Sequence, residues 1–478
     1  MIPFGEYLPD QPQYNNPGVT KALNVYPSEI GYRPFPAFAT YSDAANGRVL
    51  GAIFLKDTES NTFGYSGTTT KLYKLGTTLT DVSGTTYSAF TTAWEFAYFN
   101  NKVIATNYYD SVQSITPGGA AFANLSGSPP KAQRVGVVGD FLVLGDIDDV
   151  SDGQVPNRIH WCAFDDETGW TPGTNQSDFQ DLKGSSKVQK VIGGDYGVVF
   201  MDRTIWRMDY VGTPTVFDLT NVQPERGTLA PGSVVQYGRY IYYLSSDGFY
   251  RIVDGAYSEP IGSGKLDKNI IDQIESTNLS RVTATIDPKR KLYICFFPGT
   301  GSSSGDPNMA ALFHWPTGKW SIVEQNVNLV FYGGTFTLTL EELDAYGDLD
   351  TLAYSLDSPA WQGGADILSG FDTSHKFGYF NGSDLDAVID TGDVGGLNVV
   401  GTAYVRPYVE GSGTVTVQIG TRDTLSGSVS YNTATSLDDT GKADVIVNAR
   451  YARVRTNITG GFTLATGFDS DLKFSGAR

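Results

Sequence analysis

Cysteine, histidine and charge are all scarce in this chain of 478 residues. Two cysteines, Cys162 and Cys295, exclude a disulfide framework. Each stands alone in an aromatic-rich apolar stretch and reads as a buried thiol in a reducing compartment, although spacing leaves one bridge between them open. The three histidines are His160, His314 and His375, and none begins a motif. His160 precedes Trp161 and Cys162, and His314 precedes Trp315, so both read as structural. No HExxH, glycine-rich phosphate loop, GxSxG elbow or paired CxxC occurs, so no catalytic residue, cofactor or metal ligand is assigned and an enzyme is not expected. No run of 18 apolar residues occurs, and the start "MIPFGEYLPDQPQYNNPG" lacks a basic region followed by an apolar one. The expectation is a soluble chain with no membrane partner and no signal for export. Charged residues make up 18%, and 52 Asp and Glu against 34 Lys and Arg give a formal charge of -18. Such a surface repels phosphates, which disfavours tight nucleic-acid binding but suits a wall past which DNA slides.

What is abundant is glycine (55), tyrosine (28) and phenylalanine (26), a composition of short strands joined by tight turns. In "GSVVQYGRYIYYLSSDGFYRIV" (232–253), Tyr240 to Leu244 and Phe249 to Val253 are β-favouring runs joined by "SSDG", a hairpin signal. Tyr240, Tyr242 and Leu244 point one way and Ile241 and Tyr243 the other, so both faces are apolar. That is the pattern of a strand between two layers; a stacking platform for carbohydrate is the other reading.

Related stretches recur at 193–210, 138–146, 99–115, 287–297 and 346–356, with a weaker copy at 47–55. Taking Asn101, Asp140, Asp195 and Arg239 as equivalent positions, the steps are 39, 55 and 44 residues. Such a period suits a four-stranded antiparallel blade, whereas a string of β-sandwiches needs no steady step. The expected fold is an all-β propeller over 37–398 with six to eight blades, best seven. Residues 1–36 hold seven prolines and read as an extended arm without a helix or central strand. A short helix is expected near 266–275, where Leu266, Ile270, Ile271 and Ile274 share a face. Residues 399–478 read as a small C-terminal region of β-hairpins.

"GDIDDVSDG" (145–153) offers Asp146, Asp148, Asp149 and Asp152 but lacks the alternation and terminal glutamate of an EF-hand, so an acidic turn is expected rather than a calcium loop. "DDETGW" (165–170) and "HWPTGKWS" (314–321) are similar to the end of an Asp-box without its core. Trp170 or Trp320 is expected to plug between strands.

Several stretches together resemble the β-propeller tail hub or nozzle proteins of short-tailed bacteriophages, a family that includes packaged-DNA stabilisation and tail tubular proteins. They are "NVYPSEIGYRPFPAF" (24–38), "KLYKLG" (71–76), "GGDYGVVFMDRTIWRMDYVG" (193–212), "ERGTLAPGSVVQYGRYIYYLSSDGFYRI" (225–252), "GKLDKNIIDQIESTNLSRVTATIDPKRKLYICFFP" (264–298) and "ARVRTNITGGFTLATGFDSDLKFSG" (452–476). The resemblance implies a structural virion protein, assembled in the host cytoplasm. It implies a ring, a hexamer, beneath the portal and adaptor proteins, which conducts and gates double-stranded DNA without binding it tightly and carries tail fibres or tailspikes. Tyr32, Arg33 and Phe35 are the expected subunit-interface anchors, since Tyr and Arg are favoured at interface centres. Deleting residues 1–36 is then expected to spoil assembly while leaving the propeller folded. The alternative is a carbohydrate-binding or glycan-hydrolysing propeller, supported by 13% aromatic residues and the Asp-box echoes.

Overall fold

The computed structural model describes residues 1–90, 92–184, 186–302, 304–336 and 363–477. Tyr240–Ser245 and Gly248–Val253 pair antiparallel around a two-residue turn. One face of this hairpin packs Ile241, Tyr243 and Tyr250 against Val198 and Phe200. The other sets Tyr242 and Phe249 against Tyr293, Phe313 and Trp320. The rings therefore fill the space between sheets on both sides, with centroids 5.1 Å apart for Phe200 and Tyr243 and for Tyr242 and Tyr293.

The same unit recurs along the chain. Among the described residues, six separate four-stranded antiparallel sheets are drawn from 51–81, 95–124, 131–181, 188–223, 235–260 and 329–379, the last taking its outer strand from Ala39–Ala44. A further four-strand run, Thr283–Asp287, Leu292–Phe297, Met309–His314 and Lys319–Glu324, forms one end of a 15-stranded sheet. Apolar clusters join each unit to the next, and Phe331, Phe371 and Phe377 of the last sheet meet Tyr73, Leu75 and Leu79 of the first. The units thus close into a propeller-like circle.

The repeats seen in the sequence fall mostly on second strands: Lys102–Thr106, Phe141–Asp149, Gly197–Met201, Tyr240–Ser245 and Leu292–Phe297. These are sandwiched on both faces, which is why they read as continuous apolar runs. The 47–55 copy lands one strand early, on Gly51–Lys56, because the second strand of that sheet, Thr62–Gly67, is "TFGYSG". The 346–356 copy lies outside the described residues.

Residues 1–36 are not a free arm. Val19–Leu23, a proline-free stretch, runs antiparallel to Ala387–Thr391 and meets Lys319–Glu324 in parallel through Leu23 and Ile322, so it is a central strand. Val25–Pro27 and Tyr32–Pro34 form a hairpin, and Ile2–Pro3 pairs with Phe468 and Gly467. The rest of the large sheet is built from long strands, Val394–Gly411, Ala443–Thr459 and Phe462–Ala477, with Thr414–Arg422 beside the second. Both chain ends are therefore woven into one sheet that continues the Thr283–Glu324 run.

The expected helix is shorter than its apolar stripe. Only Asp267–Ile271 is α-helical; its Lys268 and Asn269 N–H groups donate to the Asp10 carboxylate at 2.9 and 2.8 Å, and a 3-10 turn follows at Ser276–Arg281. Leu266 and Ile270 are fully buried, as the stripe requires. Beside them the Asp267 carboxylate accepts the Phe249 N–H at 3.0 Å. It is enclosed by Gly248 and Gly262, where a Cβ would collide with it. Burial, reinforced by Asp10 and Asp247, pushes its pKa up to about 6. An acid raised in this way holds its proton more tightly when folded, so its contribution to stability is greatest below its unfolded value near 3.8 and declines as pH rises towards 6. Asp267→Asn is expected to remove this decline, gaining about 2 kcal/mol on wild type between pH 4 and pH 7. Urea unfolding of both proteins at the two pH values checks this.

Candidate functional site

Charged residues inside apolar first strands mark the site. Glu95 opens "EFAYF" and Arg134 interrupts "KAQRVGVV", yet both side chains are buried, 6% and 7% exposed. Neither stood out in the sequence, although an ionisable residue within a buried strand was the available signal. They lie at a central cavity of about 710 Å³ to which all the four-strand units contribute, through their first strands or the residues leading into them.

Glu95 accepts a hydrogen bond from Arg134 Nη1 at 2.8 Å and pairs with Lys190 Nζ at 3.1 Å, which ties three neighbouring sheets together. Across the cavity, Arg48 pairs with Asp306, and Arg281 donates to Ser304 O at 2.6 Å and to the same Asp306 at 3.5 Å. Burial, then the neighbouring Arg281, lowers the Arg48 pKa to about 10, so the guanidinium is still charged at neutral pH. Beside this cluster, buried Asp146 pairs with Lys187 at 2.7 Å.

Among the described residues the cavity lining contains no histidine or cysteine and one carboxylate, Glu95, which is held in two ion pairs. Acid–base hydrolysis of glycosides needs a pair of carboxylates facing the bond. What the lining does offer is charge recognition, through Arg48, Arg134, Lys190 and Arg281.

The residues singled out from the sequence lie elsewhere. Tyr32 and Phe35, 1% and 0% exposed, are in the chain's own core and are not open to a neighbouring subunit; Arg33 is exposed. The Tyr32 hydroxyl donates to Gly5 O, and Phe35 packs with Phe380. Burial lowers the His160 pKa to about 4 and places its ring between Trp170 and Phe179. His314 and His375 are lowered by burial too, and His314 Nδ1 meets Thr317 Oγ1 at 2.7 Å. Cys162 and Cys295 are free, buried and pushed up to about 12, which holds both as inert thiols. The acids of 145–153 diverge: Asp146 turns to Lys187, Asp149 caps the Ser151 and Asp152 N–H groups, and Asp152 pairs with Arg158. Among the described residues no group of three or more His, Cys, Asp or Glu could hold a metal ion. Trp170 and Trp320 are both buried plugs, their indole N–H groups donating to Glu167 O and Ile261 O.

No family model matches the chain, and no curated protein matches it. Among solved structures, it is similar to an extracellular domain assigned to a one-component system of B. thetaiotaomicron, at 9% identity over 80% of this chain, with a TM-score of 0.41. The chain spans 44% of the length of that domain. It is also similar to the Neurospora crassa Pan2 WD40 domain (8% identity, 61% of this chain and 88% of that one, TM-score 0.38). A third is PorZ, a surface component of the type-IX secretion system of Porphyromonas gingivalis (11% identity, 77% and 44%, TM-score 0.36).

Proposed function

We propose that the circle of sheets is a seven-bladed β-propeller and that the protein is a structural, non-enzymatic component of a short-tailed phage virion. In this reading about six copies form a closed ring below the portal and adaptor proteins. The ring conducts and gates double-stranded DNA and supports tail fibres or tailspikes. The conduit lies between copies, because a 710 Å³ cavity cannot pass a duplex whose major groove alone is about 12 Å wide. The formal charge of -18 per chain suits such a wall, since it repels the phosphates it surrounds.

The observation that carries the reading is the large sheet beside the circle. Its three longest strands run 18, 17 and 16 residues, several times the length of most blade strands, and pairing with both chain ends stiffens them. It also exposes apolar side chains, Ile446 at 84% and Ile2 at 46%, which a neighbouring copy would cover. Light scattering of the purified chain, alone and mixed with an adaptor–portal complex, is expected to give a species about six times its 51.7 kDa mass, with a central hole in negative stain. A monomer that stays single in that mixture would sink the proposal.

Tyr237 favours a second reading, carbohydrate binding. It is 41% exposed and lies 5.0 Å from the Trp315 ring, a pair suited to stacking on a sugar. Retention or hydrolysis of a surface glycan by the pure protein would favour that reading over the first.

A further inference from the structure

We propose that the central cavity is a binding site for a compact multivalent oxyanion, a phosphate or short polyphosphate. The first support is a count of charges. Glu95 is shared by Arg134 and Lys190, and Asp306 by Arg48 and Arg281, so each carboxylate answers two cations. The nearby Asp146 and Lys187 cancel each other. A surplus of positive charge is thus concentrated at the centre of a protein whose formal charge is -18. Withdrawing cations from water without matching anions is unfavourable, and a bound oxyanion would supply the missing charge.

The second support is independent of charge. Two buried donors that line the cavity have no hydrogen-bond partner: Arg134 Nε, on a side chain 7% exposed, and Asn328 Nδ2, on a residue 3% exposed. Buried N–H groups are nearly always satisfied, so donors left open on two different sheets around one cavity, Arg134 on the 131–181 sheet and Asn328 beside Val49, point to acceptors held within it. A guanidinium also presents its donors in a fork that matches phosphate oxygens, while Lys190 adds a mobile point charge. Exposure rises from Arg134 at 7% through Lys190 at 25% to Arg281 at 38%, so the last two are the cations open to an arriving anion. This site does not depend on the ring proposal, since all its residues come from one chain.

The probe is inorganic pyrophosphate, titrated calorimetrically into the full chain at neutral pH and low salt, with thermal unfolding followed in parallel. Saturable binding of one anion per chain and a raised melting temperature are expected. Lys190→Gln and Arg281→Gln remove partly exposed cations while Arg134 still pairs with Glu95 and Arg48 with Asp306, and each is expected to weaken binding about tenfold or more. Arg134→Gln would remove the deepest donor, but it also strips Glu95 of a buried partner, so the two outer variants decide the matter if it fails to fold. No saturable heat at about 10 mM pyrophosphate would overturn the proposal. So would unchanged affinity in the Lys190→Gln, Arg281→Gln double variant, which would place the anion elsewhere on the surface.

Discussion

Deleting residues 1–36 is expected to abolish cooperative folding of the whole chain. The segment contributes Val19, Val25, Tyr32 and Phe35 to the core, each no more than 1% exposed. Phe35 packs among Leu292, Ile294 and Val330, and Val25 and Tyr32 belong to the cluster that holds Trp320. A buried side chain of this size contributes about 1.5–3 kcal/mol, so losing four removes a sum comparable to the entire stability of about 5–15 kcal/mol typical of a domain. The deletion also strips Ala387–Thr391 and Lys319–Glu324 of the strand between them. Circular dichroism and urea unfolding of the deleted chain are expected to show no native-like transition. Removing only residues 1–3, where Met1 and Ile2 are exposed, is expected to leave the transition in place. A 1–36 deletion that unfolds at the wild-type midpoint would contradict the role given to these strands.

Asp393→Ala is expected to cost about 3–5 kcal/mol, the usual cost of removing one partner from a buried ion pair. Asp393 is 1% exposed and pairs with both Arg453 and Arg422, themselves nearly buried. Arg453 reaches on to Gln13 Oε1 at 2.8 Å, and the Asp393 backbone exchanges hydrogen bonds with Gln13 and Asn15. Removing the carboxylate leaves two guanidiniums facing each other with no anion, and it loosens the N-terminal segment they hold. The urea midpoint of Asp393→Ala against wild type measures the loss. Replacing Asp393, Arg422 and Arg453 together by apolar residues of similar size is expected to recover much of it, since a buried ion network is costly to break but not costly to replace. A single-variant change below about 0.5 kcal/mol would show that the cluster is solvated.

Much of the circle was legible because its second strands are buried on both faces. Such strands leave continuous apolar runs, and the opposite faces of Ile241 and Tyr242 could be read directly from strand alternation. The interlocked ends were not legible. Val19 pairs with Thr391, hundreds of residues away, and "VTKAL" is too short and too polar to announce a central strand among so many prolines. Tyr32 and Phe35 are of residue types that suit interfaces and cores alike, and the hairpin with Val25–Pro27 turns them inward. The cavity cations failed to stand out for a related reason. A charge inside an apolar strand is visible, but its partner, such as Glu95 for Arg134 at a separation of 39 residues, is set by how sheets are arranged around the axis.

The sheet completed by Ala39–Ala44 carries a consequence for biosynthesis. Its other strands, Leu329–Gly334, Asp366–Phe371 and Lys376–Tyr379, are made more than 280 residues later. At about 5–20 residues per second, the first strand emerges from the ribosome some tens of seconds before its partners exist. Until then the nascent chain can build only an open arc, with an unpaired strand edge at one end and a growing apolar face at the other. Closure is therefore a late event that joins contacts of very large sequence separation, the kind that folds slowly. A chain released early by a stop codon before residue 366 would lack both Lys376–Tyr379, the partner of Ala39–Ala44, and Asp366–Phe371, which joins that partner to Leu329–Gly334.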